Sequence, residues 1–227
     1  MVITLLPLLL FMCNATTITA WILSGRLKEL HRREELFADA QRKKVGVAAL
    51  QEAVWSQGAT AQGRDGEAII NFQSLEEGRR GLGFYLSSQW TRRVASTRIV
   101  NGRVAVVKLK ALSEGKADLV VINAHGPAMM RAKENPEATE ALYHQLSQTR
   151  KEEKRGATSA FTLGDFNAKI GKSQDDESKL MGKCGKGERD EDGEALQQLL
   201  VGNGVRLANA HFKRRDRQAA WRKTRES

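Results

Sequence analysis

The chain has 227 residues and a formal net charge of +10, with 28% of residues charged and only 6% aromatic. This length fits one domain and can bury a sizeable core, and regularly spaced apolar runs exclude wholesale disorder. Two cysteines (Cys13, Cys184) and four scattered histidines exclude a disulfide framework and a four-ligand zinc site, so any metal would be held by oxygens, and the positive balance favours a polyanionic partner.

Ile3 to Met12 form a nearly continuous apolar run. It is too short to cross a membrane, so no stable membrane insertion is expected. It reads either as the apolar region of a secretory signal, with Asn14-Ala-Thr16 as a glycosylation acceptor, or as a first strand buried on both faces. No basic residue precedes it, which favours the strand and an intracellular, nuclear location over secretion. Ser24 is placed to cap a helix running to about Lys43, with Leu27, Leu30, Phe37 and Ala40 facing inward. Val45 to Gln51 is a short apolar strand that ends at Glu52, and further strands are expected at 68–72, 81–88, 103–112 and 117–125. Asn101-Gly102 is the strongest hairpin signal, joining "VASTRIV" to "RVAVVKL".

Pro136 suits the first turn of a helix carrying Leu142 and Leu146. A strand follows in "FTLGDFNAKIG" (161–171), and 172–192 reads as a long charged, glycine-containing loop. Ala195, Leu196, Leu199 and Leu200 form a helical stripe stopped by Gly202-Asn-Gly204, and "VRLANAHF" reads as a final strand. Strands outnumber helices and hairpins mix with crossovers. The expected fold is a mixed α/β two-sheet sandwich with outer helices, one domain over 1–227.

The chemistry-bearing residues fall at strand ends: Asn14, Glu52, and the pair Asp165 and Asn167. Residues i and i+2 of an extended strand share a face, so Asp165 and Asn167 would be offered side by side. Turns also favour Asp and Asn, which leaves a plain strand cap open for each. Carboxylates and neutral amides together supply what a hard cation on a phosphate needs.

The segments "CNATTI…SGRLKEL", "VAALQEAVW", "GLGFYLSSQW", "VVINAHGP" and "FTLGDFNAKIG" resemble, in this order, the endonuclease/exonuclease/phosphatase superfamily that includes deoxyribonuclease I. The stretches "RAKENPEATEALYHQLSQT" and "MGKCGKGERDEDGEALQQLLVGNGVRLANAHFKRR" resemble more narrowly the endonuclease domain of RTE-type LINE retrotransposons and craniofacial-development-protein-2-like proteins. The resemblance implies a Mg²⁺- or Mn²⁺-dependent DNA endonuclease. Glu52 and Asn14 would serve the metal, Asp165 would position or activate the attacking water, and Asn167 would hydrogen-bond the scissile phosphate. His125 stands where the family usually has a tyrosine, either as a phosphate donor or as a strand-end histidine. The tryptophan that commonly precedes the first asparagine is missing from "MCNATT". The family also continues past "AAWR" into an aspartate-bearing strand and a Ser-Asp-His motif, whereas this sequence stops at Ser227. The expectation is therefore weak or absent turnover, with an exposed sheet edge open to self-association. Two alternatives stand beside it: a non-catalytic basic nucleic-acid-binding relic, and an inositol-lipid phosphatase-like member of the same superfamily. The basic tail 213–225 with Trp221 would suit phosphate contact and stacking, or would belong to a core.

Overall fold

The apolar runs pair into two sheets stacked face to face, with helices on both outer surfaces, as the pattern of elements implied. The computed structural model describes residues 11–13, 16–23, 27, 29–53, 60–72, 81–111, 118–127, 136–154, 159–173 and 178–211. Asn14, Ser24, most of the opening apolar run and the basic segment after His211 lie outside the described residues.

One sheet has the order β1-β2-β3-β6-β5-β4. Its strands are β1 (Phe11–Cys13), β2 (Thr16–Ile22), β3 (Val45–Ala53), β4 (Thr60–Gln62), β5 (Ala68–Phe72) and β6 (Gly81–Leu86). The other, ordered β10-β9-β8-β7, contains β7 (Val94–Asn101), β8 (Val104–Leu109), β9 (Leu119–His125) and β10 (Ser159–Asp165). The helices are α1 (Leu30–Arg42), the short α2 (Ser88–Thr91), α3 (Pro136–Lys154), the short α4 (Ser178–Met181) and α5 (Glu191–Gly202).

The unbroken apolar character of β3 follows from burial on both faces. Val47 and Ala49 enter the core between the sheets with Ile18, Phe84, Val107, Val121 and Leu163. Ala48 and Leu50 point the other way, into a layer built by Leu36, Phe37 and Ala40 of α1 with Trp21 and Tyr85. On the far side, Leu142 and Leu146 of α3 and Leu196 and Leu200 of α5 cover Val106, Val120 and Ile122. The Asn101-Gly102 hairpin forms as expected, with the Arg103 amide donating to Asn101 Oδ1 at 2.8 Å.

Three expectations need correction. Helix α1 starts at Leu30, which is 63% exposed rather than inward, because the stripe set by Leu36 and Ala40 runs along another side of the helix. The region after Asn14 holds a second strand, β2, antiparallel to β1 and parallel to β3. "VRLANAHF" forms no strand but ends in a 3₁₀ turn at Ala208–Ala210. Its backbone bonds run to α4 and the residues after it, through Leu207 N to Leu180 O (2.7 Å) and Cys184 N to Ala210 O (2.8 Å), not to a strand edge.

Candidate active site

Strands β9 and β10 are parallel neighbours, with Leu163 paired to Asn123 and Asp165 to His125. Leu119 and Val121 of β9 and Leu163 of β10 face the core between the sheets. Period-two alternation therefore puts Asn123, His125 and Asp165 in the same inward series. His125 and Asp165 are its last members, half-buried where the sandwich runs out. Apolar side chains thus give way to an imidazole beside a carboxylate at one end of the molecule.

The two strand ends approach unusually closely. Gly164 has φ +158°, and a Cβ there would lie 1.8 Å from the Ala124 carbonyl oxygen; a Cβ on Gly126 would lie 2.3 Å from Phe166 O. Only glycine leaves room at these two positions. The Gly126 amide donates to Asp165 O at 2.7 Å, and the Asn167 carboxamide donates to Gly126 O at 3.2 Å. The strand ends at Asp165, and Asn167 sits at φ +51° in the left-handed region. Asp165 and Asn167 are therefore not brought together as i and i+2 of an extended strand. A side-chain turn joins them, in which the Asn167 amide donates to Asp165 Oδ1 at 3.0 Å. Asp165 keeps its second carboxylate oxygen for other work, and the Asn167 carboxamide keeps a second N–H.

Glu52 reaches the same end from the opposite sheet. The β3–β6 register slips between Leu50 and Ala53, and Glu52 in that slip has φ +56°. It is a bulge residue in a conformation that favours glycine. Just below it, Gln51 Nε2 donates to Asn123 Oδ1 at 2.6 Å across the two sheets. Asn123 in turn donates to Leu50 O (3.0 Å) and Gly83 O (2.8 Å), and both side chains are fully buried. This bond fixes the end of β3 bearing Glu52 against the end of β9 bearing His125. Gln51 and Asn123 were not singled out by sequence reasoning. Each is a polar residue at an inward position of an otherwise apolar strand, and that was the available signal.

Asn14 is different. Cys13 and Thr16, on either side of it, pair with each other at the end of β2 that lies beside Val45, while Ile22 at the other end lies beside Gln51. Val45 and Glu52 are separated by the length of β3, about 23 Å at a strand's usual rise. The residues flanking Asn14 are thus at the far end of the sheet from Glu52.

Behind the site the chain is clamped to α5. The N-cap Asp190 accepts from Gly193 N (2.8 Å) and from Lys169 N (3.0 Å), while Asp190 N returns a bond to Lys169 O. Ala168, Ile170 and Phe166 pack into the outer core, where Phe166 meets the Tyr143 ring at 6.5 Å. Burial, followed by the nearby Asp192 and Asp190 charges, pushes the Tyr143 hydroxyl well above its ordinary pKa, so it stays a neutral packing element. The Arg103 guanidinium donates to His125 O at 3.1 Å, and Lys169, Lys172, Lys179, Lys183 and Lys186 are exposed on the segment that follows Asn167.

Among the described residues no three His, Cys, Asp or Glu side chains converge to hold an ion by themselves. A hard ion here would rely on Glu52 together with backbone, amide and water oxygens. That matches Mg²⁺, which is commonly held by one or two carboxylates and keeps several waters.

No family model matches the chain, and no curated protein sequence matches it. Among solved structures it is similar to the endonuclease domain of TRAS1, a telomere-specific non-LTR retrotransposon, at 15% identity over 82% of this chain and 70% of that one, with a TM-score of 0.52. The Xenopus laevis APE2 catalytic domain is matched at 13% identity over 80% of this chain and 66% of that one (TM-score 0.48). The human Nocturnin catalytic domain with bound sulfate is matched at 14% identity over 63% and 58% (TM-score 0.44). The chain shares its two-sheet fold with the TRAS1 endonuclease domain.

Proposed function

We propose that the chain is a Mg²⁺-dependent phosphodiesterase acting on DNA, of the RTE-type LINE endonuclease kind that its sequence segments resemble. What supports this reading is that the strand ends carrying His125, Asp165 and Asn167 lie at the same end of the sandwich as the end of β3 carrying Glu52, which the Gln51–Asn123 bond ties to β9. Glu52 would hold the ion, whose chemistry is to neutralise charge on the phosphate. The open oxygen of Asp165 orients the attacking water and accepts its proton, and the second carboxamide N–H of Asn167 donates to a phosphate oxygen. His125, paired beside Asp165, is a further donor to phosphate. The exposed lysines between 169 and 186 would supply phosphate contacts to a polyanion. Asn14 is not carried into this site.

Nicking of supercoiled DNA by the purified chain tests the reading. Cleavage should need Mg²⁺ or Mn²⁺, stop on chelation, and fall at least about 100-fold in Asp165→Asn and in Asn167→Gly, which keeps the left-handed backbone. Cleavage that survives chelation or both substitutions overturns it. The exposed lysines also favour a second reading, a basic nucleic-acid-binding module without turnover. Salt-sensitive DNA binding with no cleavage in either metal would select that one.

A further inference from the structure

We infer that Gln51 is a positioning residue: its buried amide, bonded to Asn123 of the facing sheet, sets where Glu52 stands relative to Asp165. The inference rests on the proposed metal site, because its consequence is read there. Three observations lead to it. Gln51 and Asn123 are fully buried and come from facing sheets, so their 2.6 Å bond passes through the apolar core rather than along a surface. Burying two amides there gains little stability over an apolar pair, so stability alone does not explain them. Asn123 also uses both donors on the carbonyls of Leu50 and Gly83, a register pair at the point where the β3–β6 ladder begins to slip. Finally, the residue immediately beyond is Glu52, held at φ +56° where a glycine would be at ease. A residue keeps such a conformation only where its surroundings over-determine it.

Gln51 Oε1 is buried and accepts no hydrogen bond among the described residues. Because Asn123 spends both carboxamide N–H groups on Leu50 O and Gly83 O, its Oδ1 faces Gln51, and the Gln51 amide orients in one sense only, with Nε2 toward Asn123. A Gln51 side chain of the same length without polar atoms would fill the space and leave the bulge unguided.

The test compares the full chain with Gln51→Met, which conserves shape, and uses three readouts. Melting temperature should fall by no more than about 2–12 °C, the cost of leaving the buried Asn123 Oδ1 without its donor, with the chain still folded at 25 °C. Backbone amide exchange at Glu52 and Ala53 should quicken at least about 10-fold, while amides in the middle of β3 are unchanged. Mn²⁺ affinity, titrated by the ion's own magnetic resonance, should weaken about 10- to 100-fold, the usual effect of removing a partner that orients a metal ligand. Unchanged exchange at Glu52 together with unchanged Mn²⁺ affinity overturns the inference. If the parent chain binds no Mn²⁺, the metal reading fails instead, and the exchange data still decide whether Gln51 holds the bulge. If Gln51→Met does not fold, the parent decides: slowly exchanging Gln51 carboxamide protons support the clamp, and rapidly exchanging ones refute it.

Discussion

The conformation of Glu52 can be weighed directly by replacing it with alanine and with glycine. Both substitutions remove the carboxylate and whatever it binds, so those losses cancel when the two variants are compared. What remains is the backbone at φ +56°. Alanine keeps a Cβ, which in the left-handed region costs about 1–2 kcal/mol. Glycine has no such cost but loses about 0.5–1 kcal/mol through the greater freedom of its unfolded chain. The net expectation is that Glu52→Gly is more stable than Glu52→Ala by about 0.5–1 kcal/mol. For a chain of this size that is about 1–4 °C in melting temperature. Urea denaturation gives the same comparison at constant temperature. Lys44, at φ +52° in the turn that closes α1, is the natural control, and its alanine and glycine variants should differ in the same sense. If Glu52→Ala proves equal to or more stable than Glu52→Gly while the Lys44 pair behaves as expected, Glu52 is not left-handed in solution. The account of the bulge, and of Gln51 beneath it, then fails.

Two further outcomes follow from the packing. Gly164→Ala would drive a Cβ to 1.8 Å from the Ala124 carbonyl, against backbone that cannot step aside without opening β9 from β10. A loss of about 3 kcal/mol or more is expected by urea unfolding, and a loss under about 1 kcal/mol would mean that the strand ends are not so close. On the outer face of the second sheet, the 5%-exposed Glu153 carboxylate meets Arg98 Nη2 and Lys108 Nζ, each at 2.6 Å. Burial alone would raise its pKa, but Lys108 and Arg98 outweigh it and hold Glu153 below its ordinary value of 4.5. Its stabilisation is therefore present above the unfolded pKa and lost as pH falls through the lower folded one. Lys108→Met should cost about 1–2 kcal/mol at pH 7, the cations being roughly half exposed, and the deficit should shrink steadily below pH 4.5. A deficit that stays constant with pH would show that the pair contributes nothing electrostatic.

Much of the architecture was legible because period and composition act locally. The buried β3, the Asn101-Gly102 hairpin, the Pro136 helix and the Leu196/Leu200 stripe all follow from side-chain alternation or turn chemistry that needs no distant partner. Errors arose where a distant contact decided. "VRLANAHF" has a strand's composition, yet its backbone partners are Leu180 of the short helix α4 and Cys184 just after it, which no local pattern reveals. Leu30 carries a core residue's side chain, but the phase of α1 is set by where Leu36 and Ala40 meet the sheet. The opening apolar run suggested one strand ending at Asn14. The strand that lies along β3 instead comes after it, so the strand-end position nearest Glu52 belongs to Ile22.

The proposed site shows the same division between local and distant control. Asp165, Asn167, His125 and Glu52 could be picked out as polar residues closing apolar strands, but the shape of the strand ends that carry them depends on departures from regular strand geometry. A regular β3 would carry residue 52 to the layer already occupied by Ala48 and Leu50; the register slip and left-handed backbone release it from that alternation. A regular β10 would run Asn167 on past the edge; the left-handed turn folds it back onto Asp165 and Gly126. Each departure is held by groups that sequence reasoning passes over: a glycine with no room for a Cβ at 164, and a buried amide pair at 51 and 123. Irregular backbone at the end of a rigid sandwich costs stability locally and needs support from the regular part. The apolar strands supply that support, and the Gln51–Asn123 bond transmits it from one sheet to the other. On this view the amide pair belongs functionally with the carboxylates above it, although it touches none of the chemistry.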